Sequence, residues 1–173
     1  MNKVSKLSKA APLSRTRNDL GENVRLVSVE VLNATLMDLV DLTNSVRMAH
    51  WNVKGRHFIG LHQLFETFYD ELGPVTDEVA ERIVQLGGTP TGGSQSVAEG
   101  TRLPAYPIEI RQGADHLAAL ADRYAALAKS VREGIDTTDE AGDADTADLL
   151  TGLSRALDKD LWMIEAHLEE GKG

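Results

Sequence analysis

The chain has 173 residues, 27 acidic against 18 basic side chains for a net charge of −9, and no cysteine. That is one ordinary domain's length, enough to bury a single core. The missing thiols exclude disulfides, iron–sulfur clusters, thiolate-ligated haem and cysteine nucleophiles, and leave His, Asp and Glu as metal ligands. There is no N-terminal apolar run of about 7–15 residues, as a signal peptide needs, and no stretch of about 18 apolar residues. The expectation is a soluble, unprocessed cytoplasmic protein with no membrane partner.

Residues 1–18 mix Lys, Ser, Pro12 and Arg without an apolar stripe and read as a flexible basic arm. The arm carries Lys3, Lys6, Lys9, Arg15 and Arg17 and no acidic residue, so residues 19–173 bear fourteen net negative charges. An acidic body with a basic arm points to cations for the one and an anionic polymer for the other.

After Gly21, Val24, Val27, Val31 and Ala34 recur at helical spacing, beside a second stripe through Val29, Leu32, Leu36, Leu39 and Val46. Two stripes predict a helix buried on two sides. The pattern breaks near Gly55 and resumes through Leu61, Leu64, Phe65, Phe68, Leu72, Val75, Val79 and Leu86, stopping at Gly87-Gly88. From Gly87 to Pro107 a Gly- and Pro-rich crossover follows, with Gln95–Glu99 as a candidate short helix. A third stripe runs through Leu117, Leu120, Tyr124, Leu127, Val131 and Ile135. A fourth runs through Leu150, Leu153, Leu157, Leu161, Ile164 and Leu168, beyond a polar stretch around Asp139–Asp145. Short, long and short connections predict an all-α chain: a ferritin-like four-helix bundle over 19–173, its long crossover between the second and third helices carrying a short extra helix.

The chemistry-bearing residues lie around the second helix. His62 with Glu66, and Asp77 with Glu81, are each four apart, so each pair projects from one helix face as a candidate metal clamp. Fifteen residues separate His62 from Asp77, about 22 Å along a helix. If the pairs share a metal, the second must come from another copy of the same helix running antiparallel about a two-fold axis near Tyr69 and Asp70. His50 joins such a site only if the turn at Gly55 folds the first helix back beside the second. Imidazole with carboxylate suits iron, and zinc also fits. No Glu-x-x-His occurs in the chain, which argues against a di-iron site inside each bundle. Gly73-Pro74 lies in the middle of this helix, and a mid-helix proline costs about 3 kcal/mol unless the helix kinks. A bend there is expected, re-aiming Asp77 and Glu81.

The segments HWNVKGRHFIGLH, DEVAERIVQLGGTP and DKDLWMIE resemble those of the Dps family, the DNA-binding proteins from starved cells, over nearly the whole chain. The resemblance implies a twelve-subunit shell that oxidises Fe(II), usually with hydrogen peroxide in preference to oxygen, and stores the ferric mineral. It assigns His50 and His62 from one subunit, and Asp77 and Glu81 from its partner, as iron ligands, with Glu66 as the acidic residue near His62. Trp51 matches the family's aromatic residue beside the centre, with interception of radicals and plain packing both open as its role. His57, His116 and His167 match no ligand position and read as ordinary surface or interface histidines. Acidic residues near the start of the fourth helix line iron-entry pores in such shells, which nominates Asp143, Asp145 and Asp148 from the cluster that also holds Asp136, Asp139 and Glu140. The arm resembles tails that bind DNA. With no aromatic interleaving and no base-reading motif, binding without sequence preference and a nucleoid-associated location are expected. The competing expectation is a structural DNA-compacting protein whose metal site is vestigial or holds zinc.

Overall fold

The computed structural model describes residues 12–169, with five helices and, among those residues, no strand. They are α1 (Glu22–Asn52), α2 (Phe58–Gln85), α3 (Ser94–Gly100), α4 (Gly113–Ala141) and α5 (Ala144–Leu168). α1 pairs with α2 and α4 with α5 as helical hairpins, and α1 packs on α4 to join them. The short α3 rides on α1 within the crossover. Among the described residues no helix is long and apolar enough to cross a membrane.

The apolar stripes become the core. Leu32, Leu39, Leu42 and Val46 of α1 meet Phe65, Phe68 and Ile83 of α2, Leu120, Leu127 and Val131 of α4, and Leu150, Leu157 and Ile164 of α5, all essentially without solvent contact. The two stripes of α1 differ in depth: Val29, Leu32, Leu36, Leu39 and Val46 are buried, whereas Val24, Val27, Val31 and Ala34 are half-buried.

Three regions bear on the sequence expectations, and the polar turn and the arm correct them. First, α2 runs uninterrupted through Gly73-Pro74. Both residues sit on the exposed face, while Leu72 and Val79 anchor the opposite face in the core, so the missing N–H of Pro74 does not end the helix. Second, the polar stretch at Asp139–Asp145 is mostly helix. Asp136, Asp139 and Glu140 belong to the last turns of α4, which closes at Gly142 in the left-handed region (φ 92°), and only Gly142 and Asp143 separate α4 from α5.

The third concerns the arm. Residues from Pro12 onward lie along the bundle: Leu13 packs on the core, and the Ser14 N–H donates to the Gly87 carbonyl at 2.7 Å. Gly87 adopts φ 84°, and a Cβ there would stand 2.5 Å from the Ser14 carbonyl oxygen, so the close approach requires glycine. Arg15 and Arg17 are exposed on this segment, while Lys3, Lys6 and Lys9 lie outside the described residues.

Candidate metal centre

His50 occupies the last turn of α1 and His62 the second turn of α2, and the hairpin between them brings the two rings into a stack with centroids 3.7 Å apart. Each ring is fixed by the other residue's backbone. His50 Nδ1–H donates to the His62 carbonyl at 3.0 Å, and His62 Nδ1–H donates to the His50 carbonyl at 2.9 Å. A carbonyl only accepts, so both imidazoles carry their proton on Nδ1 and leave a lone pair on Nε2, the arrangement in which a histidine ligates a metal.

Glu66, one turn beyond His62, joins this corner. Its Oε2 lies 3.1 Å from His50 Nδ1 and pairs with the Arg47 guanidinium. That guanidinium stacks on the Tyr69 ring at 4.2 Å and stands 5.8 Å from the ring of Trp51, which is 66 % exposed. An arginine held over two π faces loses little freedom when it pairs with a carboxylate. Trp51 therefore sits beside the histidines as the rim of the corner, not in the core.

Asp77 and Glu81 stand on the exposed face of α2, farther along the same helix, and the fold does not bring them to His50 and His62 within one chain. Among the described residues no three His, Asp or Glu side chains converge as a metal-holding group. A surface cleft of about 440 Å³ is lined in part by Lys54, Arg56, His57, Leu117 and His167, and neither His50 nor His62 opens into it.

The acidic turn divides by environment. Asp145 and Asp148 are exposed. Asp143 is 1 % exposed and committed to structure: it caps α5 by accepting from the Thr146 N–H and hydroxyl, accepts from the Ser28 hydroxyl at 2.7 Å, and pairs with Arg82 at 2.7 Å. Burial alone would raise its pKa, but the hydrogen bonds from Thr146 and Ser28 and the Arg82 charge overcome it and hold the carboxyl below the ordinary 3.8. Asp143 is thus withdrawn from the pore set, its oxygens being consumed inside the chain.

Several polar residues escaped the sequence reading. His116 is buried, with Nδ1 2.6 Å from the Tyr106 hydroxyl, and burial followed by Arg111 lowers its pKa, so it is a neutral core histidine. Its position four before Leu120 and eight before Tyr124 placed it on the core stripe, which was the available signal. Asp38 and Arg123 are also buried. Asp38 pairs with Arg102 at 2.7 Å and Arg123 with Asp41 at 2.7 Å, and Asp41 also accepts from Thr101, tying the crossover to α1 and α4.

Two helical hairpins joined by a long crossover, with a histidine pair at one corner, define a ferritin-like bundle. A ferritin-like domain family matches residues 29–173. The DNA protection during starvation protein of Agrobacterium fabrum is 47% identical over 156 residues, 90% of this chain and 96% of that protein. DpsC from Streptomyces coelicolor superposes with a TM-score of 0.91 at 27% identity, covering 96% of this chain and 98% of that one. Mycobacterium smegmatis Dps gives 0.87 at 31% identity, covering 92% and 91%. A Vibrio cholerae Dps protein, described as a member of a broad superfamily of ferritin-like diiron-carboxylate proteins, gives 0.85 at 26% identity over 94% and 100%. The chain belongs to the Dps family.

Proposed function

We propose that this protein is a ferroxidase: it oxidises Fe(II), its substrate, at centres shared between two-fold-related subunits and stores the ferric product inside a homo-oligomeric shell, expected to be a dodecamer. The observation that carries the reading is the stacked His50–His62 pair with both Nδ1–H groups spent on backbone carbonyls and both Nε2 lone pairs free. Asp77 and Glu81 of the partner subunit complete the centre, and Glu66 is the acidic residue beside the histidines. Hard carboxylate oxygens with few imidazoles favour Fe(III) over Fe(II) and so assist the loss of an electron. Two Fe(II) ions supply the two electrons that convert one hydrogen peroxide and two protons to two waters, without releasing a one-electron oxygen radical. Arg47 holds Glu66 against His50, and Trp51, exposed beside it, is a candidate to be oxidised by a stray radical.

The test is anaerobic. Apo-protein is loaded with Fe(II), hydrogen peroxide is added, and ferric absorbance is followed in the native chain and in a His50→Ala, His62→Ala variant. Fast oxidation with soluble iron in the native protein, slowed by about 100-fold or more in the variant, is the expected result. Equal rates would sink the ferroxidase reading and favour a DNA-compacting protein with a vestigial or zinc-filled site, which metal analysis of the purified protein would identify.

DNA binding without sequence preference is the second role. Many arms displayed on one shell bind cooperatively although each carries only five charges, and phosphate contacts release counterions. Because residues 12–18 lie against the bundle, deletion of residues 1–11 is the cleaner test than deletion of 1–18. It removes Lys3, Lys6 and Lys9 and is expected to weaken a salt-sensitive gel shift at least tenfold with oxidation intact. An unchanged shift would refute the role of these lysines.

A further inference from the structure

A tyrosine and a histidine that the iron chemistry leaves unused meet near the metal corner. Tyr106 reaches in from the crossover, half-buried, and its hydroxyl stands 2.6 Å from Nδ1 of His116, the fourth residue of α4, which is 1 % exposed. The two rings lie nearly parallel, 19° apart in plane, with centroids 6.1 Å apart. Of the three tyrosine hydroxyls in the chain, this is the one bonded to an imidazole. The pair sits at the same end of the bundle as His50 and His62. The Lys54 N–H donates to the Arg111 carbonyl at 2.9 Å, pinning the turn after α1 to the start of α4, and the His116 ring stands edge-on to that of Phe65, 6.4 Å away, whose next residue is Glu66.

A neutral imidazole has one acceptor nitrogen, and the phenol is the stronger acid of the two, so Tyr106 donates, His116 Nδ1 accepts, and the imidazole proton lies on Nε2. Burial fixes that resting state. It raises the Tyr106 hydroxyl well above its usual 10 against the opposing Arg123 charge, and burial followed by Arg111 lowers His116, so neither group ionises near neutrality. The balance changes when an electron is taken. A phenol that loses one electron becomes a strong acid, and a base already bonded to it accepts the proton, which leaves a neutral radical in place of a costly buried cation. The Arg123 guanidinium, 5.9 Å from the Tyr106 ring and paired with Asp41 at 2.7 Å, makes that electron harder to remove. The donor is therefore reserved for a strong oxidant, of the class formed when peroxide meets a single Fe(II).

We propose that Tyr106, with His116 as its proton acceptor, supplies the second electron when peroxide reaches a centre that holds only one Fe(II), a role that rests on the ferroxidase reading. The Fe(II) gives one electron and Tyr106 the other. The peroxide O–O bond breaks to two hydroxide ions, the phenolic O–H bond breaks with its proton passing to His116 Nδ1, and the products are Fe(III), a neutral tyrosyl radical and an imidazolium. The next Fe(II) returns an electron to the radical, and His116 returns the proton. Two Fe(II) are then oxidised per peroxide even when they arrive one at a time, and no hydroxyl radical is set free.

The test loads the assembled full-length protein anaerobically with less than one Fe(II) per subunit, mixes it with hydrogen peroxide and freeze-quenches it for electron paramagnetic resonance. Ferric absorbance and spin-trapped hydroxyl radical are followed in parallel. The native protein is expected to give a tyrosyl radical coupled to a proton that exchanges in heavy water, the proton held by His116. Tyr106→Phe should lower that signal at least tenfold and raise the spin-trapped radical several-fold, with oxidation at full iron loading unchanged, whereas Tyr69→Phe should keep the signal. His116→Gln should lower it as well. Where that variant does not assemble by light scattering, the exchangeable coupling in the native protein carries the reading. Ferric absorbance with no tyrosyl radical, or a radical that survives in Tyr106→Phe, would overturn the proposal and leave the ferroxidase reading standing. No ferric absorbance in the native protein would overturn both.

Discussion

The histidine corner between α1 and α2 and the aspartate corner between α4 and α5 are built from the same kind of part, a polar side chain at a tight helical turn, and spend it differently. At the aspartate corner every oxygen of Asp143 is engaged, by Thr146, Ser28 and Arg82, and the group is sealed from water. At the histidine corner each ring is fixed through one nitrogen while the other is left with a free lone pair. Saturation marks a group that holds the fold; a held side chain with an unspent lone pair marks one able to take a ligand.

The contrast breaks first, and by the largest effect, at the histidines. Removing both should slow oxidation by about two orders of magnitude while costing only the two neutral hydrogen bonds, about 1–2 kcal/mol of stability. Asp143→Ala should do its damage to stability, by about 3 kcal/mol or more, because Arg82 is left buried and unpaired, and denaturant unfolding would read it. The sign with pH follows from the lowered pKa of Asp143: its contribution is complete above the ordinary 3.8 and is lost as pH falls through the lower native value. The native protein should therefore lose more stability on acidification than Asp143→Ala does. A flat difference between the two across that range would show that the charge is not what holds the corner. The smallest effect belongs to the exposed neighbours. Asp145→Asn with Asp148→Asn should leave stability within about 0.5 kcal/mol, and if these residues line an entry pore it should slow iron uptake by a few-fold and flatten its dependence on salt. Unchanged uptake would remove the pore role.

The apolar stripes of all four long helices, the short α3 and the histidine spacing were legible because period and spacing are properties of the chain itself. The acidic turn was not, since six carboxylates in one stretch read alike. Which of them is buried depends on Arg82 and Ser28, distant in sequence and brought close only by packing. Beyond Ile135 the buried face of α4 is carried by Thr138, whose hydroxyl is satisfied by the Gly134 carbonyl and whose burial no apolar pattern signals. At Pro74 the local penalty is real, yet the helix continues because it is anchored in the core on either side, by Leu72 and Val79. The ferritin-like topology followed from loop lengths, whereas the pairing of Asp77 and Glu81 with the histidines requires a second chain and is not decided by one.

Arg82, fixed to Asp143, is the immediate neighbour of Glu81, which is exposed on α2. Together with the buried Val79 and Ile83, this fork fixes how α2 is rolled about its axis, and with it the direction in which Glu81, and Asp77 one turn before it, leave the helix. A roll of about 20° would sweep a side-chain tip some 5–6 Å from the axis through roughly 2 Å. The angular aim of these two exposed carboxylates is thus tied to the corner between α4 and α5.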